Sequence, residues 1–233
     1  MQTDVFVNVV LQIGPLQITD SIITIWFIML ILAGLGFLLS RNLENRPGVL
    51  QIIAEGAISV VESSVHEVLP RYEKLLTPFI LSLWLFLGLA NLIGLIPGFE
   101  SPTRDLSITA ALAIIVFFSV HWFGIKTQGA KKYFKHYLSP SPLLLPFHII
   151  SEISRTIALA VRLFGNMISL EMVALILLLV AGFLMPVPIL MLHIIEALVQ
   201  AYIFGMLALI FIASAIQTQE IQLENNNSTG ETK

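Results

Sequence analysis

The chain has 233 residues, 57% of them hydrophobic and only 12% charged, with a net charge of -3 and no cysteine. A soluble domain carries about 25% charged residues, so this composition excludes an ordinary soluble protein and implies an integral membrane protein. So small a net charge points to no nucleic acid, and without cysteine there is no disulfide, thiol chemistry or cysteine-based metal centre.

Residues 1–19 read as an external tail. The first Lys or Arg is Arg41, so the positive start of a cleavable signal peptide is not indicated. Between Asp20 and Arg41 lies "SIITIWFIMLILAGLGFLLS", an uncharged run of the length a helix needs to cross a bilayer, which predicts a first helix over 20–40. Residues 48–69 differ. Gln51, Glu55, Ser59, Glu62 and His66 recur at helical spacing opposite Ile53, Ala57, Val60, Val61 and Val68. That pattern predicts an amphipathic helix in the membrane interface. Its acidic polar face suits anionic lipid poorly, so it is expected to lie against protein as well as membrane.

Uncharged runs predict further helices over 75–98 and 105–125. From Phe147 to Thr218 the apolar character is interrupted by "MPVPIL" at 185–190, whose prolines read as a hairpin turn between helices over 147–183 and 187–218. Both are longer than a perpendicular crossing requires and are expected to tilt. The polar tail, 219–233, reads as disordered. The expected fold is all-α: a single membrane domain over 1–233 with five crossing helices and one interfacial helix, the last two crossings forming a long tilted hairpin. Arg41, Arg46, Arg71 and Lys74 in one connecting segment, and Lys126, Lys131, Lys132 and Lys135 in another, put those segments in the cytoplasm. The N-terminus is then outside and the C-terminus inside.

"GIKTQGAK" at 124–131 is a near miss to a phosphate-binding loop, but Ala130 stands where the lysine belongs and a membrane helix precedes it, so direct ATP binding is not expected. The tail sequons would face the cytoplasm and carry no meaning. No metal or cofactor site is expected.

Polar residues inside the apolar runs are more informative. His148, Glu152, Arg155, Arg162 and Asn166 fall within one sector about 80° wide, and Glu171 lies about 180° from Arg162. His193, Glu196 and Gln200 share one face of the last helix. An arginine at the centre of a spanning helix costs about 2.5–3.5 kcal/mol on insertion scales, so intramembrane ionisable groups are read as functional. The plainer reading is a structural ion pair at Arg162 and a satisfied polar contact at His193–Glu196. Glu152 and Arg155, three apart near the cytoplasmic end, fit a salt bridge as well as an ion path. His66 and His121 read as structural.

"RLFGN" at 162–166, Glu171, "HIIEALVQAYIF" at 193–204, "NLIGLIPG" at 91–98 and "SPTRDLSITAALA" at 101–113 together closely resemble subunit a of F-type ATP synthases. "SRTIALAVRLFGNM" resembles the sodium-associated N-ATPase subgroup. The resemblance runs from about residue 20 to 218. It implies a membrane stator beside a ring of c subunits, each with one mid-membrane carboxyl, in a complex with the b-subunit peripheral stalk and the other synthase subunits in a bacterial or archaeal plasma membrane. Two half-channels lead H+ or Na+ to and from that carboxyl, with no cofactor. The family's essential arginine matches Arg162, its motif asparagine Asn166, its outer glutamate and histidine Glu171 and His193, and its glutamine Gln200. Where many members carry an acid about fourteen residues before the arginine, this chain has His148, with Glu152 a turn later. Arg155 and Glu196 are additions to the pattern. The chain is thus expected to move ions within an ATP-synthesising complex and to be no enzyme by itself. A stand-alone secondary transporter would show two related halves with broken helices, and none are seen. A pure scaffold leaves the cost of Arg162, Glu171 and Glu196 unexplained.

Overall fold

A computed structural model describes residues 9–13, 16–41, 48–96, 101–129, 133, 145–182 and 186–230. The Arg46 and Lys131, Lys132 and Lys135 positions used for orientation, and parts of the expected tails and hairpin turn, lie outside these residues. The helices are α1 (Asp20–Arg41), α2 (Val49–Val68), α3 (Glu73–Ile93), α4 (Leu106–Gln128), α5 (Leu145–Ala181) and α6 (Pro186–Gly230). Five of them are long and apolar enough to cross a membrane; α2 is not among them. The membrane architecture is all-α.

Several boundaries differ from the sequence reading. Helix α3 ends at Ile93 rather than 98, because Gly94 begins a turn and Pro97 follows. Helix α5 stops at Ala181, where Gly182 takes a left-handed φ of 82°, and Pro186 opens α6, a position at which a missing N–H costs nothing. Helix α6 continues to Gly230, so 219–230, expected to be disordered, is helical. "QTQEIQLE" at 217–224 contains good helix formers and no breaker before that glycine. Ahead of α1, strands β1 (Val9–Ile13) and β2 (Leu16–Thr19) pair antiparallel. The alternation Leu11-Gln12-Ile13 and Leu16-Gln17-Ile18-Thr19 is the period-two signal behind them.

The core lies where α3 packs against α6 and where α4 packs against α5 and α6. Leu76, Ile80 and Leu87 of α3 and Phe204, Leu209, Ile212 and Ile216 of α6 are almost wholly buried. Close approach depends on Gly205: a Cβ there would stand 2.7 Å from Trp84 Cδ1, inside van der Waals contact. Trp84 in turn stacks on Tyr202 with ring centroids 5.2 Å apart. Helix α1 packs mainly on α3 and leaves Trp26, Met29, Leu30 and Phe37 exposed, an apolar surface that matches lipid. Helix α2 buries Val61 and Val65 against the core and exposes Glu55, Glu62 and His66. Its His66 meets Glu73 of α3 at 2.7 Å across the turn that joins them.

Candidate functional site

Arg162 stands on an exposed face of α5 and, among the described residues, has no hydrogen-bond or ion-pair partner. Positions a turn away on the same face are small: Ala158 and Gly165, with Ser151 and Ser169 further along. Small side chains allow another helix to come close to the guanidinium. The side of α5 centred about 100° round from Arg162 is held by Leu159, Leu163 and Met167, all buried. Packing therefore turns the cation outward, away from this chain's own core.

Toward the C-terminal end of α5 a polar cluster forms from four elements. Asn166 Nδ2 donates to Gln200 Oε1 of α6 at 2.8 Å. Gln200 is 2% exposed and His193 5%, and a side-chain nitrogen of each, Nε2, is buried without a partner among the described residues. Glu196 is half-buried a turn from His193. Glu171, half-buried, accepts a hydrogen bond from Arg104 Nη1 at 3.3 Å. Arg104 sits on a short 3-10 turn, Pro102–Arg104. Buried bonds tie that turn down: Thr103 Oγ1 donates to Asn91 Oδ1 at 2.8 Å, Ser101 Oγ lies 2.7 Å from Thr103 Oγ1, and Asn91 Nδ2 donates to the Ala197 carbonyl of α6 at 3.4 Å.

At the other end of α5 a cavity of 230 Å3 opens between α4, α5 and α6, lined by His121, Tyr133, His148, Glu152, Arg155 and Ser214 among others. His121 Nε2 lies 3.3 Å from Glu152 Oε2. Arg155 lies with its guanidinium 4.8 Å from the centre of the Phe211 ring, an arrangement that favours a cation over the ring face. His148 is exposed at the rim. Glu152 and Glu171 precede and follow Arg162 by ten and nine residues. At 1.5 Å per residue these two carboxyls lie about 15 Å and about 13–14 Å along the helix from Arg162, in opposite directions.

Residues 22–213 match the family described as ATP synthase A chain. The chain belongs to that family. It is 60% identical over 217 residues to ATP synthase subunit a 1 of Hahella chejuensis, covering 93% of this chain and 92% of that one. It is 58% identical over 209 residues to ATP synthase subunit a 2 of Pelobacter propionicus, covering 90% and 92%, and 55% identical over 217 residues to ATP synthase subunit a of Legionella pneumophila, covering 93% and 94%. The ATP synthase reading therefore stands over the stand-alone transporter. As a member of the ATP synthase A chain family, the chain is an ion-translocating membrane subunit and no enzyme by itself.

Of the residues singled out from the sequence, the fold brings Asn166 to Gln200 and gathers His148, Glu152 and Arg155 around one cavity. It gives Arg162 no hydrogen-bond or ion-pair partner in either region among the described residues, although Asn166 stands one turn away. Sequence reasoning did not single out Arg104, Asn91 or Thr103, and read His121 as structural; the fold sets His121 against Glu152. Its being the only Lys or Arg in the 97–105 connection was the available signal for Arg104. No spacing rule links positions 104 and 171, or 121 and 152, because those pairs are made by separate helices.

Proposed function

We propose that Arg162 is the fixed charge of the stator, set between two half-channels and facing a ring of c subunits that each carry one membrane carboxyl. The outer path uses Asn166, Glu171, His193, Glu196 and Gln200; the inner path uses His148, Glu152 and Arg155. The b-subunit stalk and the remaining synthase subunits complete the complex. Helix α2 lies on the cytoplasmic surface, the N-terminus is outside and the C-terminus inside. The observation that carries this reading is an exposed arginine without a partner among the described residues, with a polar cluster on each side of it. A structural ion pair, the plainer alternative, needs a partner in this chain.

The chemistry follows from desolvation. A carboxyl facing lipid is neutral, because burial disfavours its charged form, and a nearby cation reverses that preference. Opposite Arg162, which stays protonated at any working pH, the carboxyl releases its ion. The attraction must stay modest for the ring to move on. Two unit charges at 4 Å attract by ~20 kcal/mol in dry protein but ~4 at an effective dielectric of 20, so a partly hydrated groove is required. The buried nitrogens of His193 and Gln200 without a partner among the described residues support such hydration, since a buried polar atom left unsatisfied costs about 1–3 kcal/mol. Each ion crossing 100 mV supplies about 2.3 kcal/mol.

The test is Arg162→Ala and Arg162→Lys in the purified complex. Both are expected to assemble with full subunit content. Arg162→Ala is expected to lose ion-driven ATP synthesis and to leak ions passively; Arg162→Lys, whose ammonium sheds its proton when desolvated, is expected not to restore full activity. Normal synthesis by an assembled Arg162→Ala complex would overturn the proposal.

A further inference from the structure

The cavity at the N-terminal end of α5 holds a histidine from a different helix, and the geometry around that histidine is specific. His121 Nδ1 lies 2.9 Å from the Phe117 carbonyl oxygen one turn back on α4. A carbonyl can only accept, so Nδ1 carries a hydrogen in every protonation state of the ring. That leaves Nε2 as the exchangeable nitrogen, and Nε2 faces Glu152 Oε2 at 3.3 Å. A bare Nε2 against a carboxylate would set two acceptors face to face. The contact therefore favours one proton between them, on the ring or on the acid.

The ring is also held in place. Phe117 lies against it with centroids 4.6 Å apart, and Tyr133 meets it edge-on at 5.9 Å. Tyr133 comes this close because position 124 is glycine: a Cβ there would stand 2.5 Å from Tyr133 Cε2. The pair opens on the cavity of 230 Å3, a space with room for water. Among the described residues, the other charged or titratable groups that line it are Tyr133, His148 and Arg155. Arg155 contributes a fixed positive charge beside the path, which disfavours any cation there, so an imidazolium at His121 depends on the Glu152 carboxylate for its counter-charge.

We propose that His121 and Glu152 form a proton-relay site in the inner half-channel, a step that rests on the half-channel reading above and makes the proton the transported ion. In one direction, the Glu152 carboxylate swings off Nε2 so that a cavity water can deliver a proton there, neutral His121 becomes imidazolium, and the carboxylate returns. The imidazolium passes that proton to Glu152 Oε2, leaving neutral imidazole and a carboxylic acid. The acid releases the proton toward Arg162 and returns to carboxylate. The reverse order carries protons the other way. The remaining distance of about 15 Å along α5 exceeds one hydrogen bond and requires a chain of water past Ala158.

The experiment compares His121→Ala and His121→Gln in the intact complex reconstituted in vesicles. Coupled ATP hydrolysis is followed with a protonophore present, so that no gradient accumulates. Glutamine keeps an N–H able to bond Glu152 but cannot exchange protons. Both variants are expected to assemble and to run at least ~10-fold slower, a conservative figure against the 10²–10⁴-fold typical of positioned acid–base groups. Added imidazole is expected to restore part of the His121→Ala rate, whereas pyrazole, of the same shape but a far weaker base, is not. A wild-type rate for His121→Gln, equal effects of imidazole and pyrazole, no recovery with imidazole, or sodium transport without proton movement would each overturn the relay. Failure of the relay alone leaves Arg162→Ala inactive; an active Arg162→Ala complex instead removes the half-channel reading beneath it.

Discussion

Arg104 Nη1 and Glu171 Oε2 stand 3.3 Å apart although 67 positions separate them in the chain, and both side chains are largely covered. The contact joins the connection between α3 and α4 to the middle of α5. Because Thr103 and Asn91 link the same turn to α3 and α6, this bond closes a ring of four elements around the polar cluster of Asn166, His193 and Gln200. Arg104 is a positioning residue for the Glu171 carboxylate. Arg104→Gln is expected to destabilise the chain by about 1–3 kcal/mol, the scale of a hydrogen bond between charged groups left half-made. The exchange Arg104→Glu with Glu171→Arg should recover assembly. Thermal denaturation of the membrane-extracted complex reads both. A single variant as stable as the wild type would show that the clasp contributes nothing.

Asn166 and Gln200 are expected to be energetically coupled. Their 2.8 Å bond crosses the α5–α6 hairpin beside Arg162, and Gln200 is buried. A double-mutant cycle with Asn166→Ala and Gln200→Ala should give an interaction energy of about 1 kcal/mol. Additive losses would mean that the two amides act separately.

Gly205→Ala should be destabilising despite alanine's better helix propensity. The added Cβ meets Trp84 Cδ1 at 2.7 Å, and overpacking of this kind costs about 1–3 kcal/mol. Trp84→Phe shortens the obstructing side chain and is expected to recover part of the loss in the double variant. Equal stability of Gly205→Ala and wild type would show that Trp84 moves aside freely.

Reporter fusions at Pro47 and Pro70, on either side of α2, should both register on the cytoplasmic side. Glu55 and Glu62 are exposed on this helix, and each would be costly in hydrocarbon. Reporters on opposite membrane sides would make α2 a crossing and reverse the direction of α3 to α6.

The uncharged runs and the amphipathic pattern of 48–69 were enough to indicate the six long helices among the described residues, because hydrocarbon admits only long apolar stretches whose backbone bonds are made internally. The arginine at 162 and the carboxyls at 152, 171 and 196 were equally plain, since each is conspicuous where charge is expensive. Boundaries were less legible at 94–98 and 217–230, where short-range helix stops and helix formers override the end of the apolar run. The pairing of the polar residues could not be read from the chain at all. Arg104 finds Glu171, His121 finds Glu152 and Asn166 finds Gln200 only because separate helices cross at particular heights. Those heights are decided by side-chain packing, as where Gly205 admits Trp84. Helical periodicity assigns a residue to a face of its own helix; which group waits opposite that face depends on how the helices meet.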